Sequence, residues 1–416
     1  MDHTQDHRSH RSGCRTDNPL APYIDAFADH LTERGYAQGT IDGYVSGVVH
    51  FARWAHHRQL SVRRVDEATI TQFLREHLPR CNCVGHARCD LRGLHAGLAH
   101  LLAVLRALGV ADPPRTQTNP VERELRRFDE HMDHVRGLAV KTRSMTLRIV
   151  RRLLTQRFGD GAVDIAGIKP EHVRRFFAQQ SKLYSKPVNT GTVTAALRGY
   201  FRYRITRGDA AHGLVGAVSY PANWQLSSLP KALTVEEVEQ LTGSLRQRGR
   251  FGWRADAIVR CALDLGLRSG EIAKLSLDDI DWCVGTITLR HTKSRREDVL
   301  PLPAATGKAI AAYLKHERPK TDNRTVFMRR LAPRAAIGPD AVRKTIRQAY
   351  ARAGLPHTRS HLLRHTMASR LLAGGSSLKE VADVLRHRSL NTTLIYAKLD
   401  SRNLREVALP WPGSRT

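Results

Sequence analysis

A chain of 416 residues is longer than one ordinary hydrophobic core accommodates, so two or three domains are expected. Its 41% hydrophobic and 25% charged residues exclude a disordered polymer, and no run approaches the roughly 18–20 apolar residues of a membrane helix. Lysine plus arginine number 67 against 39 aspartate plus glutamate, a formal net charge of +28, and a folded chain with that surplus suits a polyanion such as nucleic acid.

Residues 1–20 are polar, lack the apolar centre of a secretory signal and read as a flexible tail. Six cysteines without secretory context are expected as reduced thiols; with the basic charge and the lack of a membrane span, the expectation is a cytoplasmic, nucleoid-associated protein with no membrane partner. Residues 21–114 form a helical module, because the apolar positions of 23–31 and 44–54 recur every three or four residues. Inside it, Cys81, Cys83, His86 and Cys89 gather three thiols and an imidazole within nine residues. That set reads as a structural zinc site or as a reduced cysteine-rich loop, the C-x-C spacing being tighter than the usual zinc knuckle.

The breaker-rich stretch 111–120 precedes a second helical block, 121–220. The two blocks match in order: Phe27 with Phe128, Leu31 with Met132, Arg34-Gly35 with Arg136-Gly137, Thr40 with Thr142, Ile70 and Phe73 with Val173 and Phe176, Gly109 with Gly208. Such ordered matches point to a duplicated four-helix unit. After a second linker, Thr234 and Glu237 form a capping box that starts a helix. Residues 231–409 then read as a mixed domain in which helices flank a hairpin of 286–290 with 298–302, and 410–416 as a tail.

The chemistry-bearing residues lie in this last domain. Arg268 follows an apolar helix and Gly266-Leu267, a half-buried setting in which an unpaired guanidinium is costly. His361 and Arg364, three apart, share one helical face, and His387 and Tyr396 follow them. Arginine forks neutralise the charge that grows on a phosphodiester under attack. A tyrosine hydroxyl is a nucleophile that needs no metal, and neighbouring cations would favour its phenolate. A lone tyrosine in an apolar helix is otherwise core packing. His361 and His365 have the spacing of zinc ligands, but no glutamate follows the first and no third ligand is evident, so no active-site metal is expected.

Residues 120–409 resemble the tyrosine recombinase (phage integrase) family. The resemblance rests on Gly266-Leu267-Arg268-Ser269-Gly270-Glu271, Lys293 after the first hairpin strand, His361-Leu362-Leu363-Arg364-His365, His387 and Tyr396. It implies a mainly α fold with a small β-sheet: a helical core-binding (SAM-like) domain at 121–220, with 21–114 as its duplicate, and a mixed α/β catalytic domain at 231–409, together clamping duplex DNA. It implies catalysis by Arg268, Lys293, His361, Arg364, His387 and Tyr396, with Glu271 and His365 in support. Tyr396 would form a 3′-phosphotyrosine and Lys293 would protonate the departing 5′-hydroxyl, the hairpin arginines Arg295 and Arg296 being its basic neighbours. The resemblance further implies that no cofactor is required and that the partners are double-stranded DNA at specific sites, a homotetramer on that DNA, and accessory DNA-bending or co-recombinase proteins. Two other readings stand beside site-specific recombination: a type IB topoisomerase-like enzyme and an inert architectural DNA-binding protein. The family carries glycine before the second histidine, where this chain has Arg386, whose side chain would either crowd DNA or add a phosphate contact.

Overall fold

A computed structural model of the protein describes residues 19–81, 83, 90–113, 119–183, 187–219, 231–246, 252–290, 297–387 and 393–399. The chain forms two compact units, Met1–Pro113 with Ser228–Thr416, and Pro114–Ser227.

The first bundle contains α1 (Ile24–Glu33), α2 (Gln38–His57), α3 (Glu67–Gln72) and α4 (Leu91–Ala107). Asp66 and Asp90 start α3 and α4 by accepting hydrogen bonds from the backbone of Thr69 and Gly93, which supplies acceptors for otherwise orphaned helix N–H groups. Phe27, Leu31, Val48, Phe51, Phe73, Leu98 and Leu105 close the core. Directly after α3 the chain widens into a π-turn over Phe73–His77 and then tightens into a 3-10 turn over Leu78–Arg80.

In the second unit α5 (Pro120–Glu130), α6 (Val140–Phe158), α7 (Pro170–Leu183) and α8 (Pro187–Thr206) follow in the same order, and a short α9 (His212–Gly216) ends the unit. Asn119 caps α5 through the Val121 N–H. The sequence-matched residues occupy matching places. Phe27 and Phe128 are both fully buried, as are Phe73 and, to 2% exposure, Phe176. Gly35 and Gly137 both take positive φ after their first helix, and Gly109 and Gly208 do so after their fourth. The second helix of each bundle opens with the same bond, from Thr40 N–H to the Ala37 carbonyl and from Thr142 N–H to the Ala139 carbonyl, each 2.8 Å.

The C-terminal portion of the first unit holds α10 (Val235–Arg246), α11 (Trp253–Leu263), α12 (Ser269–Lys274), β1 (Ile280–Asp281), β2 (Thr286–Leu289), β3 (Asp298–Pro301), α13 (Ala304–His316), α14 (Pro339–Arg352), α15 (His361–Ala373) and α16 (Leu378–Val384). A 3-10 helix, Leu394–Leu399, follows. The capping box at the start of α10 is present: Thr234 N–H donates to Glu237 Oε2 (3.0 Å) and Glu237 N–H to Thr234 Oγ1 (3.2 Å). Helix α11 is buried along nearly its whole length, and its one carboxylate, Asp256, is neutralised by Arg260 one turn on (2.8 Å). The expected hairpin pairs antiparallel from Thr286↔Pro301 to Leu289↔Asp298, and β1 adds a third strand, giving the order β1-β2-β3. No helix among the described residues is long and apolar enough to cross a membrane.

Candidate active site

Three arginines converge on the turn between α11 and α12. The turn requires Gly266: its φ is +59°, and a Cβ there would lie 2.6 Å from Met367 Sδ and 3.1 Å from Leu385 Cδ2. Arg268 stands one residue before α12 and is bound twice to Glu271, by its own N–H (2.9 Å to Oε2) and by its guanidinium (2.7 Å to Oε1). Arg364, 5% exposed on α15, donates to the carbonyls of Gly266 and Leu385. Its guanidinium is therefore locked to backbone from two other elements. Burial, and then the neighbouring charges of Arg268 and Arg386, lower its pKa to about 9.

The third cation is Arg386. Helix α16 ends in a paired motif, Arg386 N–H to the Asp383 carbonyl and His387 N–H to the Ala382 carbonyl, each 2.9 Å. That ending places residue 386 in the left-handed region, with φ +55°. Glycine is the ordinary occupant of such a position, which accounts physically for the family's glycine there. The Arg386 side chain neither crowds DNA nor faces out for a phosphate. It turns inward, 1% exposed, and its guanidinium pairs with Glu271 Oε2 at 3.1 Å. Glu271 thus holds two arginines. Burial raises its pKa, but the charge of Arg386 and the bonds from Arg268 outweigh this, and the group remains below the ordinary carboxylate range.

Removing the Glu271 carboxylate leaves Arg386 buried without a counter-ion. Glu271→Ala is expected to destabilise the fold by about 3–5 kcal/mol, measured by urea unfolding. Since its folded pKa is depressed, its contribution is present above the ordinary carboxylate value and lost as pH falls through the folded value; the variant loses that pH dependence.

Tyr396 is 2% exposed in the 3-10 helix and packs with Ala368, Val381 and Leu385. Its hydroxyl is hydrogen-bonded to His365 Nδ1 at 2.5 Å. Burial pushes its pKa up to about 12, and Arg364 offsets only part of that. The expected stabilisation of the phenolate is reversed in this state, because the apolar pocket desolvates the oxygen while the arginines are turned to carbonyls and to Glu271. Burial, and then the charges of His361 and Arg364, hold the pKa of His365 below the ordinary histidine value, which favours the uncharged ring. His361, at the start of α15, is exposed. Lys293 lies outside the described residues.

His387 is half-buried and bonded through Nδ1 to Thr393 Oγ1 at 2.7 Å. Burial and the charges of Arg364, Arg268 and Arg386 lower its pKa to about 4. Between the ordinary value of 6.5 and about 4, the unfolded chain binds the proton more readily, so stability is full above 6.5 and declines as pH falls toward 4. An NMR titration of the His387 ring is expected to show a midpoint near 4; a midpoint near 6.5 would contradict this environment. The structure brings Arg268, Glu271, Arg364, His365, His387 and Tyr396 together, with two residues that sequence reasoning missed in this role, Arg386 and Thr393. Arginine in place of the family's glycine before His387 was the signal for Arg386, and none marked Thr393.

The cysteine cluster is assembled differently from the sequence expectation. Cys81 and Cys83 lie with His50 and His77, all four ligand atoms being within 4.8 Å of one another, whereas His86 and Cys89 fall outside the described residues.

A mainly helical domain with a three-stranded sheet and this arginine–histidine–tyrosine set define the class of site-specific DNA recombinases. The phage integrase family model matches residues 231–402, and the model of the phage integrase N-terminal SAM-like domain matches 24–80, within the first bundle. The chain is 36% identical over 404 residues to the "Putative integrase/recombinase y4rA" of Sinorhizobium fredii, covering 95% of this chain and 96% of that relative. It is 32% identical to the tyrosine recombinase XerC of Rhizobium meliloti, over 68% of this chain and 91% of the relative. The fold is similar to that of the XerH site-specific recombinase bound to a palindromic difH substrate in a post-cleavage complex, with TM-score 0.51 and 17% identity over 94% of this chain and 96% of that one. The chain belongs to the phage integrase family, the tyrosine recombinases.

Proposed function

We propose that the protein cleaves and rejoins duplex DNA at a specific site with Tyr396 as nucleophile. The observation that carries this reading is the pairing of the Tyr396 hydroxyl with His365, one residue from Arg364 on the same helix. The Tyr396 oxygen attacks the scissile phosphorus and its proton passes to His365, or to His361 once the hydroxyl reaches the phosphate. The P–O5′ bond breaks as Lys293 gives a proton to the departing 5′ oxygen, which leaves as a hydroxyl. The 3′-phosphotyrosine conserves one phosphodiester linkage, so a 5′-hydroxyl from a second duplex reverses the step without ATP or metal. Arg268 and Arg364 stabilise the charge on the non-bridging oxygens, and His387 donates to one of them. Glu271 and Arg386 hold Arg268 in place. Tyr396 must leave its apolar pocket to react, and the short 3-10 helix that carries it is suited to that movement.

The protein acts in the cytoplasm as a homotetramer on two recombining sites, with accessory proteins setting direction. The two four-helix bundles are copies of one DNA-binding unit, supported by the matched buried phenylalanines and positive-φ glycines. The test begins with duplexes selected by binding from a random library. Plasmids carrying two copies of the selected site are expected to recombine at those sites. Relaxation of supercoils without site preference would instead favour a topoisomerase, and binding with neither reaction an architectural protein.

A further inference from the structure

The first bundle brings four soft ligands from three separate elements to one point. His50 comes from α2 and is 5% exposed; His77 ends the π-turn; Cys81 and Cys83 follow on the chain that leaves it. The Nε2 atoms of the two histidines are 3.2 Å apart, Cys81 Sγ is 3.5 Å from His50 Nε2, and Cys83 Sγ is 3.7 Å from His77 Nε2. A tetrahedral zinc with ordinary Zn–N and Zn–S bonds separates its ligand atoms by about 3.3 Å for N–N and about 3.5 Å for N–S. Three of the six ligand–ligand separations are thus close to a tetrahedron's edges, and all four atoms lie within 4.8 Å of one another.

The surroundings are those of a built site. Phe73 stacks on His77 (centroids 5.4 Å apart, planes at 26°) and meets His50 edge-on (5.2 Å, 79°), so one buried ring orients both imidazoles. A π-turn is rare in helices and concentrates at functional positions. The described residues hold two, His131–Val135 and Phe73–His77, and at the two ends of the latter stand the orienting ring and a ligand. The SAM-like match ends at residue 80, so both thiols stand just beyond the part of the bundle that the family model covers.

We propose that His50, His77, Cys81 and Cys83 bind one structural zinc ion that fastens the segment after the π-turn to α2. Two imidazoles and two thiolates in tetrahedral array select zinc over harder divalent cations, and four protein ligands leave no open position for catalysis. The role is that of a staple in a bundle with a small core, supplementing Phe51, Phe73 and their neighbours.

The full-length chain, purified without added metal or chelator, is expected to carry about one zinc per molecule by elemental analysis, as a closed four-ligand site retains its ion. The Cys81→Ser/Cys83→Ser double variant is expected to lose the metal, and His77→Cys to keep it with an added thiolate. Cobalt exchanged into the wild type is expected to give the intense visible bands of a tetrahedral site with thiolate charge transfer. This reads the ligand set even where His50→Ala fails to fold. Cys89→Ser and His86→Ala are expected to retain full zinc. Absence of metal from the wild type, with thermal unfolding unchanged by chelator, would overturn the proposal. So would loss of zinc in Cys89→Ser or His86→Ala together with its retention in His77→Ala.

Discussion

Tyr396→Phe is expected to reduce strand cleavage by more than about 10⁴-fold, the range seen where an enzyme's nucleophile is removed. Phenylalanine keeps the ring in the pocket formed by Ala368, Val381 and Leu385 and deletes only the oxygen. Stability should therefore change little, with His365 losing a single hydrogen-bond partner. DNA affinity should be retained, since cations and not the buried phenol meet the phosphates. Gel-shift titration and denaturing electrophoresis of a nicked substrate separate the two effects. Cleavage by the variant within tenfold of wild type would assign the nucleophile elsewhere.

Arg364→Ala should lower cleavage by at least about 10²–10³-fold, as for loss of one donor to a developing oxyanion. It also leaves the Leu385 carbonyl without its buried donor, at about 1–3 kcal/mol, and the Gly266 carbonyl with only the longer bond from Arg386 (3.4 Å). Arg364→Lys distinguishes charge from geometry. An ammonium keeps the positive charge but not the planar fork that spans two carbonyls and still presents N–H groups to a phosphate. Lysine is therefore expected to recover part of the stability and little of the cleavage. Full recovery of cleavage would reduce the role of Arg364 to a net charge.

Much of this arrangement was legible from the chain alone, and for physical reasons. The helices of both bundles follow from apolar residues spaced three and four apart, and Thr234 with Glu237 marks the start of α10 by local chemistry. Arg268 was recognisable because a guanidinium embedded among leucines has to be paired, and Arg364 because it shares a helical face with His361. The parts that were not legible depend on contacts distant in sequence. Glu271 and Arg386 are 115 residues apart, so nothing local foretold that the arginine in a glycine position would turn inward. The same holds for His50, 31 residues from Cys81: spacing favoured His86 and Cys89 as partners, while the fold delivers a histidine from α2. The ionisation of Tyr396 was misjudged because proximity to cations is readable from motif spacing, whereas desolvation is a property of the packed pocket. Strand β1 escaped notice because two residues carry no alternation.

The central claim is that Tyr396 becomes covalently joined to a 3′-phosphate. Its most direct test uses a selected site in a suicide duplex, nicked so that the short 5′-hydroxyl strand diffuses away after cleavage. Wild-type protein is incubated with this DNA, the adduct is digested with protease and nuclease, and the modified peptide is identified by mass spectrometry. The expected result is a single nucleotide-bearing peptide, modified at Tyr396 and attached through the 3′-phosphate. Attachment at another residue, linkage through a 5′-phosphate, or strand transfer without any protein–DNA adduct would contradict it.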